Sequence, residues 1–167
     1  DILKEKVRLA TILGTFQSTL TNFKYLRKIW KDNTEEERLL GVSLTGILDC
    51  PTLNNVYYEL DDVLEQLRAV AVETNKKIAK ELGIQQSTAI TCVKPSGTVS
   101  QLVDSASGIH ARHSDYYVRT VRGDNKDPLT QFMKQSGIPF EPDVMKPDST
   151  TVFSFPMKAP DGAITRK

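Results

Sequence analysis

Apolar residues recur at helical spacing through the first thirty residues, at Leu3, Val7, Ala10, Leu13, Leu20, Phe23, Leu26 and Ile29. The pattern predicts one long amphipathic helical segment over residues 2–30, broken near Gly14 or at Thr21-Asn22. Lys31-Asp32-Asn33-Thr34 is polar and reads as a loop, with Thr34 placed to cap a brief acidic turn through Glu37. Residues 40–45 mix branched side chains with glycine, which predicts a strand that lets another backbone approach closely. Cys50-Pro51 opens a loop. Asp62 with Glu65 then reads as a capping box ahead of a helix, whose apolar positions are Val63, Leu64, Leu67, Val70, Ala71, Ile78 and Leu82. Gly83 is its natural stop.

Residues 87–93 are short and β-branched between Gly83 and Pro95, the composition of a buried strand. A short helix is predicted near residues 99–104, and the stretch 105–113 has no clean period and reads as a loop. Residues 116–122 alternate as a strand does. Asp127-Pro128 starts a short helix to Gln135, stopped by Gly137, and residues 150–156 form another strand. Ala159-Pro160-Asp161-Gly162-Ala163 is a turn. Strands alternating with helices predict an α/β fold: a parallel sheet, or part of a barrel.

Composition narrows the function classes. The chain of 167 residues is long enough for a domain with a real core. Its 22 basic and 21 acidic residues leave a net charge of +1, which gives no broad electrostatic footprint for nucleic acid. No apolar run approaches membrane-spanning length and no signal peptide opens the chain. Cys50 and Cys92 are its two cysteines, far apart and outside metal-ligand spacing, so a soluble, reducing, cytoplasmic setting is expected. Asp1 is not a natural start residue, so a chain that is processed, tagged or cut from something longer is expected.

The chemistry concentrates at Lys94-Pro95-Ser96-Gly97-Thr98-Val99-Ser100. Pro95 donates no N–H, so it ends the preceding ladder, and it biases Lys94 to an extended conformation. Gly97 permits a tight turn, and a helix starting near Thr98 would present free N–H groups where its dipole favours an anion. Ser96, Thr98 and Ser100 add hydroxyls. The competing reading is an ordinary strand–turn–helix cap. A nucleotide-triphosphatase P-loop is excluded, because Gly-x-x-x-x-Gly-Lys-Ser/Thr is absent.

Several blocks in order carry a resemblance. They are Phe23-Lys24-Tyr25-Leu26-Arg27, residues 38–46 (Arg-Leu-Leu-Gly-Val-Ser-Leu-Thr-Gly), residues 91–98 (Thr-Cys-Val-Lys-Pro-Ser-Gly-Thr), Ser107-Gly108-Ile109-His110, Tyr116-Tyr117-Val118-Arg119 and Ala159-Pro160-Asp161-Gly162. Together they resemble the catalytic subunit of ribonucleotide reductase, most closely its adenosylcobalamin-dependent (class II) type. The resemblance implies a ten-stranded α/β barrel of two five-stranded parallel halves, of which residues 1–167 would be a single segment of the C-terminal half, incomplete at both ends. It implies that Pro95, Ser96, Gly97, Thr98 and Ser100 bind the substrate's phosphates, with His110 beside the pocket as a contact for substrate or cobalamin.

The family's chemistry removes the 2′-hydroxyl of a ribonucleoside di- or triphosphate by thiyl-radical chemistry, with adenosylcobalamin as initiator and a thioredoxin-like protein as reductant. The family's Asn-x-Cys-x-Glu loop is absent here, so the resemblance places the radical cysteine upstream of Asp1 and assigns no catalytic residue to this chain. The remaining portion of the reductase is then an expected partner. The alternative is a stand-alone nucleotide- or phosphate-binding module without chemistry; a third is a fold-only assembly piece.

Other candidates have plainer readings. Cys92, in its strand-like run, reads as a small buried apolar residue, and nothing around Cys50 is arranged to activate it. His110 and His113 lack companions for a metal site. Lys94 is either a phosphate partner or a solvated lysine, since alternation does not fix its direction. Arg119 and Arg122 face opposite sides of one strand and form no clamp. Tyr116 and Tyr117 read as packing residues, and Glu35-Glu36-Glu37 as a solvated helix start.

Overall fold

The computed structural model describes residues 1–54 and 60–167, which divide into two compact units, Asp1–His110 and Ala111–Lys167.

In the first unit, α1 (Ile2–Gln17) runs straight through Gly14, and the break expected there or at Thr21-Asn22 is the non-helical stretch 18–27, which contains the second pair. Its buried line is Val7, Thr11 and Thr15, each on the same face at every fourth position, while Leu13 and Leu20 are exposed. The threonines are tolerated inside because each hydroxyl donates to the carbonyl four residues back, Thr11 to Val7 and Thr15 to Thr11, both at 2.8 Å. Helix α2 (Lys28–Glu37) includes the stretch predicted as loop at residues 31–34. There the Thr34 hydroxyl donates to the Trp30 carbonyl at 2.7 Å, and Lys28–Asp32 and Lys31–Glu35 pair one turn apart. Polar composition misled, because this helix is solvated along its length and buries no residue.

A 3₁₀ turn at Ile47–Asp49 and the single turn α3 (Pro51–Asn54) follow. Helix α4 (Leu60–Leu82) already contains Asp62 in its first turn, so that residue is inside the helix and not its cap. Gly83 ends α4 as expected, at φ +66°, with Gly83 N–H bonded to Lys80 and Ile84 N–H to Ala79. Leu67, Ala71, Asn75 and Ala79 form its buried stripe, whose small residues let α1 pack closely.

Beneath the helices lie two extended segments, residues 40–45 and 88–93, paired in parallel through a bridge between Val42 and Thr91. The amides of Leu40 and Val42 donate to Ala89 and Ile90, and Cys92 donates back to Val42, at 2.9–3.0 Å. Val7, Leu67, Ala71 and Ile90 form the core here, flanked by Leu40, Val42 and Leu44. Burying each large aliphatic side chain contributes about 1.5–3 kcal/mol. The helical turn α5 (Val99–Leu102) is shorter than predicted.

The second unit corrects the expectation of parallel strands. β1 (Tyr116–Asp124), β2 (Phe140–Pro142) and β3 (Thr150–Lys158) form an antiparallel sheet in the order β1-β3-β2, with α6 (Pro128–Gln135) between β1 and β2. Tyr116 faces Lys158 and Asp124 faces Thr150 across the pair. β1 and β3 were expected from the sequence and the short β2 was not; pairing direction is set by the connection, which alternation does not report. Phe153 is fully buried and meets Phe140 with ring centroids 6.0 Å apart. Asp127 caps α6 by accepting the Leu129 N–H, with Pro128 at the first helical position.

Candidate functional site

Two parallel segments carry their carboxyl ends to the same side, and ligands of parallel α/β folds bind outside those ends. Here the first segment runs into Thr45-Gly46 and the second into residues 94–100. A third loop, residues 105–110, packs against both.

The packing is specific. Thr45 and Ser96 hydroxyl oxygens are 2.6 Å apart. Thr45 Oγ1 also accepts the Gly108 N–H at 3.0 Å and lies 3.1 Å from the Ala106 carbonyl, which itself receives the Gly46 N–H at 2.8 Å. The Ala106 N–H donates to an Asp49 carboxylate oxygen at 2.6 Å. Gly46 is required on two counts. Its φ is +69°, and a Cβ there would sit 2.9 Å from Ser105 Cβ.

The bend itself is open. Pro95, Gly97 and Thr98 are exposed and Ser96 is half-buried. Among the described residues, no hydrogen bond engages the backbone N–H of Ser96, Gly97 or Thr98. Ser100 differs from its neighbours: it is fully buried, its hydroxyl donates to the Ser96 carbonyl, and it accepts from Gln101 Nε2 at 3.2 Å. Helix α5 has four residues, so the dipole expected from the sequence is that of a single turn. What the bend presents to solvent is free amides and the Thr98 hydroxyl, not the N-terminus of a long helix.

The Lys94 side chain folds back over Gly41, where its Cε and Nζ lie 2.7 and 2.8 Å from the position a Cβ would take. Cys92 is exposed, contrary to the expectation of burial. It lines an apolar cavity of about 620 Å³ together with Val42, Leu44, Ile47, Leu64 and Ile109. Nothing in the sequence pattern marked this cavity, since its walls come from five separate stretches. His110 is exposed at the end of the third loop, its amide bonded to the Ser107 carbonyl at 2.9 Å. Among the described residues no three His, Cys, Asp or Glu side chains converge as a metal site, and no helix is long and apolar enough to cross a membrane.

Two parallel segments packed under helices, with an open hydroxyl-bearing bend after the second, make the first unit α/β in architecture. Comparison with known proteins places the chain further. No family model matches the sequence. Adenosylcobalamin-dependent ribonucleoside-triphosphate reductase of Euglena gracilis is 30% identical over 175 residues, covering 93% of this chain and 24% of that protein. The enzyme of the same name from Lactobacillus delbrueckii subsp. bulgaricus is 35% identical over 172 residues, covering 89% of this chain and 23% of that protein. A crystal structure of a B12-dependent (class II) ribonucleotide reductase superposes with a TM-score of 0.77 at 26% identity, covering 98% of this chain and 26% of that one. The chain is thus a relative, over nearly its whole length, of a segment of the class II ribonucleotide reductases. It spans about a quarter of the length of the curated relatives it matches.

Proposed function

We propose that this chain supplies the substrate-phosphate corner of a class II ribonucleotide reductase, an oxidoreductase that converts ribonucleoside triphosphates to deoxyribonucleotides. The observation that carries the reading is the bend at residues 95–98, exposed and with unengaged amides, at the carboxyl ends of two parallel segments. The N–H groups of Ser96, Gly97 and Thr98 and the Thr98 hydroxyl point an uncharged donor set at the phosphate oxygens. Pro95 shapes the turn, and Ser100 braces it from within through the Ser96 carbonyl. A neutral cradle anchors the nucleotide without placing a reactive base near the ribose. His110 flanks the same loop cluster as a substrate contact. The two parallel segments are neighbours in the ten-stranded barrel of the complete enzyme.

Adenosylcobalamin is the cofactor of the complete reductase in this reading. The residues of this segment do not by themselves fit it: a cavity of about 620 Å³ has the size of a small-ligand site, short of a corrin with its nucleotide loop and adenosyl group. The cofactor's seat, the thiyl-forming cysteine and the thioredoxin-like reductant's docking site belong to the rest of the reductase, and no step through the cofactor is derived from this chain.

The test is complementation. Mixed with a polypeptide carrying the remainder of a class II reductase, adenosylcobalamin, a dithiol and a ribonucleoside triphosphate, the chain yields deoxyribonucleotide. Gly97→Asp, which sets a carboxylate against the phosphates, raises KM roughly tenfold or more. Product formation with an unchanged KM contradicts the assignment of the bend. Absence of product from a folded mixture contradicts the reductase reading.

A further inference from the structure

Thr45 lies outside the serine–threonine motif, yet its hydroxyl is the point where all three loops of the site meet. It makes three polar contacts: Ser96 Oγ at 2.6 Å, the Ala106 carbonyl at 3.1 Å and the Gly108 N–H at 3.0 Å. A hydroxyl has one proton and two lone pairs, so its bonding has two consistent arrangements. In the first, Thr45 donates to the Ala106 carbonyl and accepts from both Gly108 N–H and Ser96 O–H. The Ser96 proton is then committed inward, and Ser96 offers an approaching anion only lone pairs. In the second, Thr45 donates to Ser96 Oγ and keeps the Gly108 N–H, and the Ser96 proton is free to turn outward. The Ala106 carbonyl does not become an orphan, because the Gly46 N–H still bonds it at 2.8 Å. The exchange rotates two hydroxyls, and each oxygen keeps its own proton.

We propose that Thr45 is a positioning residue for the phosphate bend: it sets the Ser96 hydroxyl as a donor when an anion arrives and holds the 105–110 loop against the bend through Gly108. The inference rests on the phosphate reading above and names the group that makes Ser96 a competent donor. Gly108 is buried, and a Cβ there would meet Lys94 O at 3.5 Å and Ser96 Oγ at 3.7 Å, so the loop packs directly against the bend. Without the Thr45 hydroxyl, the Gly108 N–H and the Ser96 hydroxyl lose their shared partner.

The test compares Thr45→Val, which keeps shape without the hydroxyl, with Thr45→Ser, which keeps the hydroxyl. Two readouts are taken: affinity for inorganic triphosphate, and hydrogen exchange of the Gly108 amide before any ligand is added. Thr45→Val weakens triphosphate binding roughly tenfold and deprotects Gly108, whereas Thr45→Ser stays within about threefold and keeps the protection. Wild-type affinity in Thr45→Val, while Gly97→Asp abolishes binding, overturns the proposal and leaves the phosphate reading standing. Equal Gly108 protection in wild type and Thr45→Val also overturns it. A wild-type protein that takes up no triphosphate, with Gly108 protection still following the Thr45 hydroxyl, overturns the phosphate reading and reduces Thr45 to a structural tie.

Discussion

Asn75 and Ser87 exchange two hydrogen bonds: the Asn75 amide donates to Ser87 Oγ at 3.0 Å, and the Ser87 N–H donates to Asn75 Oδ1 at 2.9 Å. The second Asn75 amide bond reaches Thr15 Oγ1 at 3.0 Å, so one buried side chain ties α4 to α1 and to the start of the second parallel segment. Asn75→Leu leaves the buried Ser87 amide without its acceptor and removes the donor to Thr15 Oγ1, which keeps its own bond to the Thr11 carbonyl. It is expected to destabilise the protein by about 2–4 kcal/mol. Urea unfolding checks this; a change below about 0.5 kcal/mol contradicts it.

Gly46→Ala forces a Cβ to φ +69° and against Ser105 Cβ. The left-handed conformation alone costs about 1–2 kcal/mol. The contact then pushes the 105–110 loop off the bend. Thermal unfolding should fall, and hydrogen exchange should rise at residues 105–108 more than in α4. An unchanged exchange pattern would show that the glycine is incidental.

Phe153 is the one large side chain of the second unit with no exposure at all. Phe153→Ala removes the partner ring of Phe140 and opens a void between β3 and its neighbours, at a cost of about 3–5 kcal/mol. Loss of near-ultraviolet ellipticity together with a lower urea midpoint is the expected result.

Acid should act on the second unit through Asp143. Its carboxylate accepts Arg122 Nε at 2.8 Å and the amides of Met145 and Lys146 at 3.0 and 3.1 Å. The Arg122 hydrogen bond is the chief influence holding its carboxyl below the usual range, burial opposing it and the two amides helping. A lowered folded value means that the stabilisation is complete above the unfolded carboxylate pKa, about 3.9, and disappears as pH falls through the folded value. Arg122→Ala should therefore flatten the acid limb of the stability–pH curve while changing its slope little above pH 6. An acid limb identical to wild type's would exclude the pair as its source.

Much of this was legible in the sequence because local rules and tertiary packing agreed. Gly83 stops α4, Asp127-Pro128 starts α6, and the 95–98 bend stands open where proline and glycine placed it. Legibility failed where tertiary contacts decide. Thr11, Thr15 and Asn75 are polar residues that the core accepts because each is satisfied inside it, so hydrophobic periodicity passed them over. The polar 31–34 stretch is helical because its charges pair along a solvated face. Thr45 went unnoticed because its partners are 51 and more residues away in sequence. Its block carried resemblance, but no local pattern assigns a hydroxyl to a contact that distant.

The most direct measurement is amide chemical-shift perturbation on adding a ribonucleoside triphosphate to the isotopically labelled protein. The account predicts the largest shifts at Ser96, Gly97 and Thr98, with a smaller response at Gly108 and none in the sheet of residues 116–158. Saturable shifts confined elsewhere, with residues 96–98 unmoved, would contradict it.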